Sequence, residues 1–273
     1  MFGRISIEYK SADQIRTMRR AGLVVADVLD AVRAAVRPGV TTAHLDAVAE
    51  QVISRAGAAS NFKGYHGFPS VVCISVNDEV VHGIPGDRVI TAGDVVSVDG
   101  GAIIDGWHGD SAFSMVVPDA DPADEALVRV TEDAMWAGIA ALASAERLGE
   151  VGDAIDDVVT AGSDGYAIIQ EYVGHGIGSA MHQPPEVLNY RTRKRGPRVR
   201  PGLCLAIEPM VVRGERHTSV LEDEWTVITV DGSHAAHWEH TVAVHSGGLW
   251  VLTARDGGAA RLGALGVTVA PLD

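Results

Sequence analysis

Cysteine is scarce in this chain of 273 residues, with only Cys73 and Cys204 present. No disulfide framework can organise the fold, and both thiols are expected to be free and packed. Long apolar runs are missing too. None reaches the roughly 18 to 20 residues of a membrane span, and the opening MFGRISIEYKSADQ has no apolar core of a secretory signal. A cytoplasmic protein without a membrane partner is the expectation. Positive charge is in deficit, since 22 Lys and Arg against 36 Asp and Glu give a formal net charge of -14. That balance argues against a generally nucleic-acid-binding surface and leaves room only for a local basic patch. What the chain does have is 47% apolar residues, enough for a soluble globular protein with a sizeable core and too many for a disordered one.

The apolar residues change period along the chain. Ser11 to Gln14 reads as a capping box, and Ile15, Met18, Val25, Val28, Leu29, Val32 and Val36 follow at helical spacing until Arg37-Pro38-Gly39 stops them. A shorter helix follows Thr42 and ends near Gly57. From Val71 the texture turns to short β-branched runs such as VVCISV, DVVSVD and AFSMVV. Asp121-Pro122 restarts helix as a cap followed by proline, EVGDAIDDVVTA is a further helix, and strands return after about Ala167. This order of helices, strands, helices, strands suggests a duplication with halves at about 10–145 and 146–255. His82-Gly83-Ile84 leads to a strand closed by Asp99, and a further strand carries Asp110; His175-Gly176-Ile177 leads to a strand closed by Glu208, and a further strand carries Glu239. Four features in shared order favour duplication over chance. The stretch after Leu249-Trp250-Val251, residues 256–273, is rich in Gly and Ala, lacks a clear period and reads as a loosely attached tail.

Within VSVDGGAIIDGWHGD, Val96 to Asp110, no Lys or Arg separates the acids. Asp105-Gly106 is a preferred pair for a tight hairpin turn, both central positions of which need positive φ. That turn places Asp99 opposite Ala112 and Asp110 two positions away on the same face, at the roughly 7 to 8 Å of diagonal neighbours. Two such carboxylates can be an acid/base pair, a proton-sharing dyad or metal ligands. If the halves pair about a pseudo-two-fold axis, Glu208 and Glu239 meet them, and four unneutralised carboxylates in a sheet interior repel strongly. Two divalent cations would supply the missing charge. With His175 adding a nitrogen, the set suits Mn, Fe, Co or Zn, and two such ions can activate a shared water and polarise a carbonyl, the logic of a hydrolase.

Six motifs stand in order between residues 10 and 255: GYHGFP at Gly64 to Pro69, VHGIP at Val81 to Pro85, DGWHGD at Asp105 to Asp110, GHGIG at Gly174 to Gly178, IEPM at Ile207 to Met210, and WEHT at Trp238 to Thr241. With them the chain resembles the type I methionine aminopeptidases. The resemblance implies an α+β pita-bread fold: one domain over 1–255, of two pseudo-two-fold-related halves, with a central, mostly antiparallel curved sheet and helices on its outer face. It implies a cytoplasmic enzyme that removes the initiator methionine from nascent or newly made polypeptides when the second residue is small, by attack of a water activated between two metal ions. Asp99, Asp110, His175, Glu208 and Glu239 fall on the family's metal ligands. His82 is implied to lie beside the substrate without binding metal, His182 to hold the substrate carbonyl oxygen, and Glu208 to manage the proton of the attacking water. The implied methionine pocket draws on Phe62, Tyr65, Phe68, Cys73 and Trp225. Met181 and Gln183 stand where relatives commonly carry Phe and Glu, which is expected to loosen the pocket and alter its rim.

Arg191 to Arg200, RTRKRGPRVR, places six basic side chains in one stretch of an acidic protein. A solvated loop is the plain reading, and contact with ribosomal RNA through phosphates is the alternative that the resemblance suggests. Rival readings of the whole chain are an Xaa-Pro peptidase of the same superfamily, whose long N-terminal domain finds no room ahead of residue 10, and a metal-free binding protein of the same fold, which the five retained ligand positions oppose. A monomer is the default expectation.

Overall fold

The computed structural model describes residues 6–162 and 165–272. Residues 1–5 and Asp273, at the two ends of the expected domain and tail, lie outside the described residues. The helices fall where the sequence places them. α1 (Ala12–Ala35) starts at a true capping box, in which Gln14 N–H donates to Ser11 Oγ at 3.3 Å and Ser11 N–H to Gln14 Oε1 at 2.7 Å. α2 (Thr42–Arg55) is capped by Thr41, α3 (Pro122–Leu142) by Asp121, and α4 is Gly149–Gly162. Each helix buries one apolar stripe; in α1 it includes Ile15, Met18, Val25, Val28 and Val32. A fully buried Val or Ile of this kind is worth about 1.5 to 3 kcal/mol.

The first half contributes strands β1 (Ala59–Ser60), β2 (Val72–Val76), β3 (Glu79–Val81), β4 (Val95–Ile104) and β5 (Trp107–Val116). The second contributes β6 (Ala167–Ile168), β7 (Gly174–Gly176), β8 (Gln183–Val187), β9 (Cys204–Ile207), β10 (Met210–Val212), β11 (Thr218–Val220), β12 (Val227–Thr229), β13 (Ala235–His237), β14 (Glu239–His245) and β15 (Gly248–Val251). Nine of these form the central sheet in the order β1-β4-β5-β14-β9-β7-β8, with β2 also on β4 and β15 also on β14. Among the described residues every paired strand is antiparallel. The centre of the order, β4-β5-β14-β9, sets the acid-bearing strands of one half back to back with those of the other, as a pseudo-two-fold axis requires. One buried apolar cluster joins α1 and α2 to β2, β4 and β5, and another joins α3 and α4 to β9 and β14. α1 can lie close to the sheet because Gly22 and Gly109 face each other: a Cβ on Gly109 would come within 2.8 Å of the Gly22 nitrogen.

The C-terminal segment is not a loose tail. It forms α5 (Ala259–Ala264), buries Leu262, and packs Val267 and Val269 against the cluster under α3 and α4. Ala270 N–H donates to Leu249 O at 3.0 Å, continuing the attachment past the helix. Three spaced apolar side chains suffice to dock it, too few to show as a period among the surrounding Gly and Ala. No helix among the described residues is long and apolar enough to cross a membrane.

Candidate metal centre

Register builds the site. The hairpin between β4 and β5 turns on Asp105 and Gly106 with φ of 50° and 78°, both in the left-handed region that this turn needs. It pairs Asp99 with Ala112 and Gly101 with Asp110. Across the neighbouring ladders Cys73 pairs with Asp99, and Glu239 with Ala112. Directly opposed residues share a face, so Cys73, Asp99, Ala112 and Glu239 form one row, and Asp110 stands two residues along β5 on the same side. His175 enters from β7, opposite Ala206 of β9. Glu208 directly follows β9, and its backbone carbonyl accepts from Asn189 Nδ2 at 3.1 Å.

These five side chains converge on a cavity of about 120 Å³. Asp110, His175, Glu208 and Glu239 are buried, and Asp99 opens onto the cavity. Asp110, His175 and Glu239 each turn a ligand atom to a common point, all within 4.8 Å of one another. Oδ1 of Asp99, Oδ1 of Asp110 and Oε1 of Glu239 are buried without a hydrogen-bond partner, although a buried carboxylate oxygen ordinarily has one. Burial pushes the Asp99 carboxyl up to about 7. Burial, and then mutual repulsion, holds Asp110, Glu208 and Glu239 well above the ordinary carboxylate range. His175 moves the other way, to about 3, because burial penalises its cation. Its Nδ1 lies 3.0 Å from Gly176 O and its Nε2 3.3 Å from Glu208 Oε1. With Nδ1–H donating to the carbonyl, Nε2 presents a lone pair to the cavity. A neutral imidazole among unpartnered carboxylate oxygens is the donor set of a divalent transition metal, and the residues fit one.

The other site residues picked from the sequence line the same cavity: Phe62, Tyr65, Phe68, Cys73, His82, His182 and Trp225. Phe62, Phe68 and Cys73 form a buried cluster against which Tyr65 and Trp225 pack, with Phe68 and Trp225 edge to face at 5.1 Å. His82 lies against Trp225 and Tyr172, and burial lowers its pKa to about 4. His182 sits at the open edge, its Nδ1 2.8 Å from the Tyr65 hydroxyl and its ring 4.3 Å from that of His175. Met181 lines the same cavity. It is buried in the apolar cluster with Phe62, Phe68 and Cys73, where an unbranched thioether can adapt to the surrounding rings. Gln183 works away from the cavity, accepting from Lys10 Nζ at 3.1 Å and donating to Ser179 Oγ at 3.0 Å.

Several contributors escape a reading of the sequence. Thr241 Oγ1 accepts from Asp110 N–H at 2.9 Å and donates to Asp110 O at 2.7 Å, replacing ladder bonds between β5 and β14. The only signal was its place two residues beyond Glu239, on the same face of β14. His237 puts Nε2 3.8 Å from Glu208 Oε2. The basic stretch does not act as one unit: Arg191 is held by Asp157 at 2.7 Å and Asp153 at 3.4 Å, while Arg193, Lys194 and Arg195 are exposed.

Comparison with known proteins places this geometry. The description of metallopeptidase family M24 matches residues 16–246. Methionine aminopeptidase 1 of Mycobacterium tuberculosis is 47% identical over 256 residues, 92% of this chain and 96% of that protein. Methionine aminopeptidase 1 of Bacillus subtilis is 42% identical over 244 residues, 89% of this chain and 98% of that one. The crystal structure of methionine aminopeptidase from Thermotoga maritima superposes with a TM-score of 0.88 at 39% identity, covering 91% of this chain and 99% of that one. Prolidase from Pyrococcus furiosus, at 18% identity and a TM-score of 0.72, shares the fold alone. The family match over most of the chain, the pita-bread arrangement of two related halves and the buried cluster of metal-ligating side chains agree: the chain belongs to metallopeptidase family M24.

Proposed function

We propose that the chain is a metal-dependent methionine aminopeptidase that removes the initiator methionine from nascent or newly made polypeptides with a small second residue. The observation that carries this reading is the joining, in one cavity, of three orphaned carboxylate oxygens to a narrow apolar slot. Asp99, Asp110, His175, Glu208 and Glu239 would hold two divalent cations, drawn from Co, Mn, Fe and Zn. When bound, such ions supply the missing positive charge, acidify a shared water and polarise the scissile carbonyl. Glu208 takes the water's proton and delivers it to the leaving amine. His82 and His182 steady the carbonyl oxygen as negative charge gathers on it, from positions where desolvation lowers the pKa of each imidazole. The slot of Phe62, Tyr65, Phe68, Cys73 and Trp225, closed by Met181, suits an unbranched, polarizable side chain.

Work as a monomer in the cytoplasm completes the reading. A ribosomal contact through Arg191–Arg200 would rest on Arg193, Lys194 and Arg195, since Arg191 is already engaged. The test is to strip the protein with a chelator, restore one metal at a time, and assay Met-Ala-Ser and Met-Leu-Ser. Restored cleavage of the first peptide and little of the second is expected. Cleavage that survives complete removal of metal would sink the mechanism, and preference for the second peptide would sink the specificity.

A further inference from the structure

A second cavity, of about 600 Å³, opens directly beside the first, and His175 and His182 border both. Its size lies within the roughly 300 to 1,000 Å³ of sites that enclose a ligand. Leu148, Pro185, Leu188 and Pro197 give it apolar walls, Glu186 stands near the end shared with the metal centre as the cross-strand partner of His175, and Lys194 lines it from the basic segment. One wall is β8, the last strand of the central sheet. Pro184 and Pro185 lack N–H groups there, so this edge is a poor template for pairing with another strand, and contact has to come from side chains.

Resting on the aminopeptidase reading, we propose that this groove receives the substrate chain beyond the scissile bond, at about its third to fifth residues, and favours an apolar residue followed by an acidic one. The first cavity, at about 120 Å³, has room for little beyond the terminal side chain. His175 and His182 line both cavities, so a chain that leaves the first past them enters the groove directly. An extended chain advances about 3.3 to 3.6 Å per residue, so successive residues pass from Glu186 along the apolar wall to Lys194. Among the described residues neither Lys194 nor its neighbours Arg193 and Arg195 form an ion pair, in a protein of net charge -14. A substrate carboxylate is the complement that Lys194 lacks. Nucleic acid fits this groove less well, because its phosphates would run along apolar walls and meet Glu186.

The experiment uses the metal-restored full chain and three C-terminally amidated peptides: Met-Ala-Ser, Met-Ala-Ser-Leu-Glu-Gly and Met-Ala-Ser-Leu-Lys-Gly. The Glu peptide should exceed the tripeptide in kcat/KM by about tenfold, the effect of 1.4 kcal/mol, and exceed the Lys peptide several-fold. Lys194→Glu, a surface change that leaves the core alone, should reverse the Glu-over-Lys preference. Leu188→Asp should abolish the gain from length. Equal kcat/KM for short and long peptides overturns the proposal, as does a Glu/Lys ratio unmoved by Lys194→Glu. Loss of ribosome association in Lys194→Glu with unmoved peptide ratios also overturns it and hands the segment to RNA. Failure of the metal-restored wild type to cleave even Met-Ala-Ser would be a different result, removing the aminopeptidase reading and the groove with it.

Discussion

His82 and His175 open the same tripeptide, one in each half of the molecule, and end in opposite surroundings. His175 lies within β7, paired on one side to β8 and on the other to β9, with Nδ1 set against Gly176 O and Nε2 facing Glu208. His82 comes one residue past β3 in a left-handed backbone conformation, φ 62°, and touches the rings of Tyr172 and Trp225. Burial keeps both neutral. The difference is what each neutral ring faces: a carboxylate oxygen of Glu208 in one half, the aromatic rings of Tyr172 and Trp225 in the other. The same tripeptide thus stands in two different backbone settings, one inside a sheet and one just past a strand.

Removing the two histidines one at a time should separate those roles and give the largest effects. His175→Ala should strip the centre of metal and reduce kcat/KM on the order of 10³-fold or more, beyond the 10- to 100-fold typical when only a supporting residue of a metal site is lost. His82→Ala should keep its metal and lose roughly 10²-fold in kcat, in the range of a proton-transfer or hydrogen-bonding partner. Elemental analysis beside steady-state kinetics decides it. Equal loss of metal in both variants would break the comparison and make His82 a ligand.

The next effect concerns the carboxylates that the two halves bring together. In metal-free protein Asp99 has a folded-state pKa of about 7, above the roughly 3.9 of an unfolded Asp, and Asp110, Glu208 and Glu239 are raised as well. Between pH 4 and 7 the folded state therefore holds protons that the unfolded state has released. At these four acids stability falls as pH rises. His82, His175, His237 and His240, held neutral by burial, instead add stability as pH rises to the roughly 6.5 of an unfolded His, so the carboxylate effect prevails only above that pH. Thermal melts of the chelated protein should show Tm dropping from about pH 6.5 upward, where unfolded histidines are already neutral and Asp99 is still losing its proton, and metal should remove the drop by compensating the ionised groups. A metal-free Tm that keeps rising above about pH 6.5 would mean that the four acids are neutralised by something other than metal.

The parts legible beforehand were those that a local rule settles. Asp105-Gly106 allows one tight turn, and that turn alone sets Asp99 and Asp110 on one face. The capping box at Ser11 and the proline after Asp121 start helices for reasons contained in four or five residues. The parts that stayed hidden depend on segments far apart in the chain. Leu262, Val267 and Val269 are unremarkable among glycines and alanines until α3 and α4 provide a surface for them. Met181 reads only as a departure from a ring, and it takes the fold to bury it beside Phe62, Phe68 and Cys73. The groove is walled by residues from the start of α4, from β8 and from the basic segment, whose meeting no periodicity announces.

Thr241 sharpens the comparison from the seam between the halves. β5 and β14 pair only at Ala112–Glu239 and Ser111–His240; beyond them the Thr241 hydroxyl takes both polar groups of Asp110, accepting from its N–H and donating to its carbonyl. The side chain thus bridges a ligand strand of each half at full burial. Thr241→Val preserves shape but leaves the Asp110 N–H and C=O without that partner, a cost of about 1 to 3 kcal/mol for buried groups. The expected outcome is a lower Tm and a weaker metal affinity, with kcat of the fully loaded enzyme close to wild type because no reacting atom is touched. Thr241→Ser keeps the hydroxyl and should restore metal affinity even where it loses some packing. Metal titration followed by calorimetry separates the cases: if Val and Ser variants bind metal equally well, the hydroxyl only fills space, and the two halves position their ligands independently.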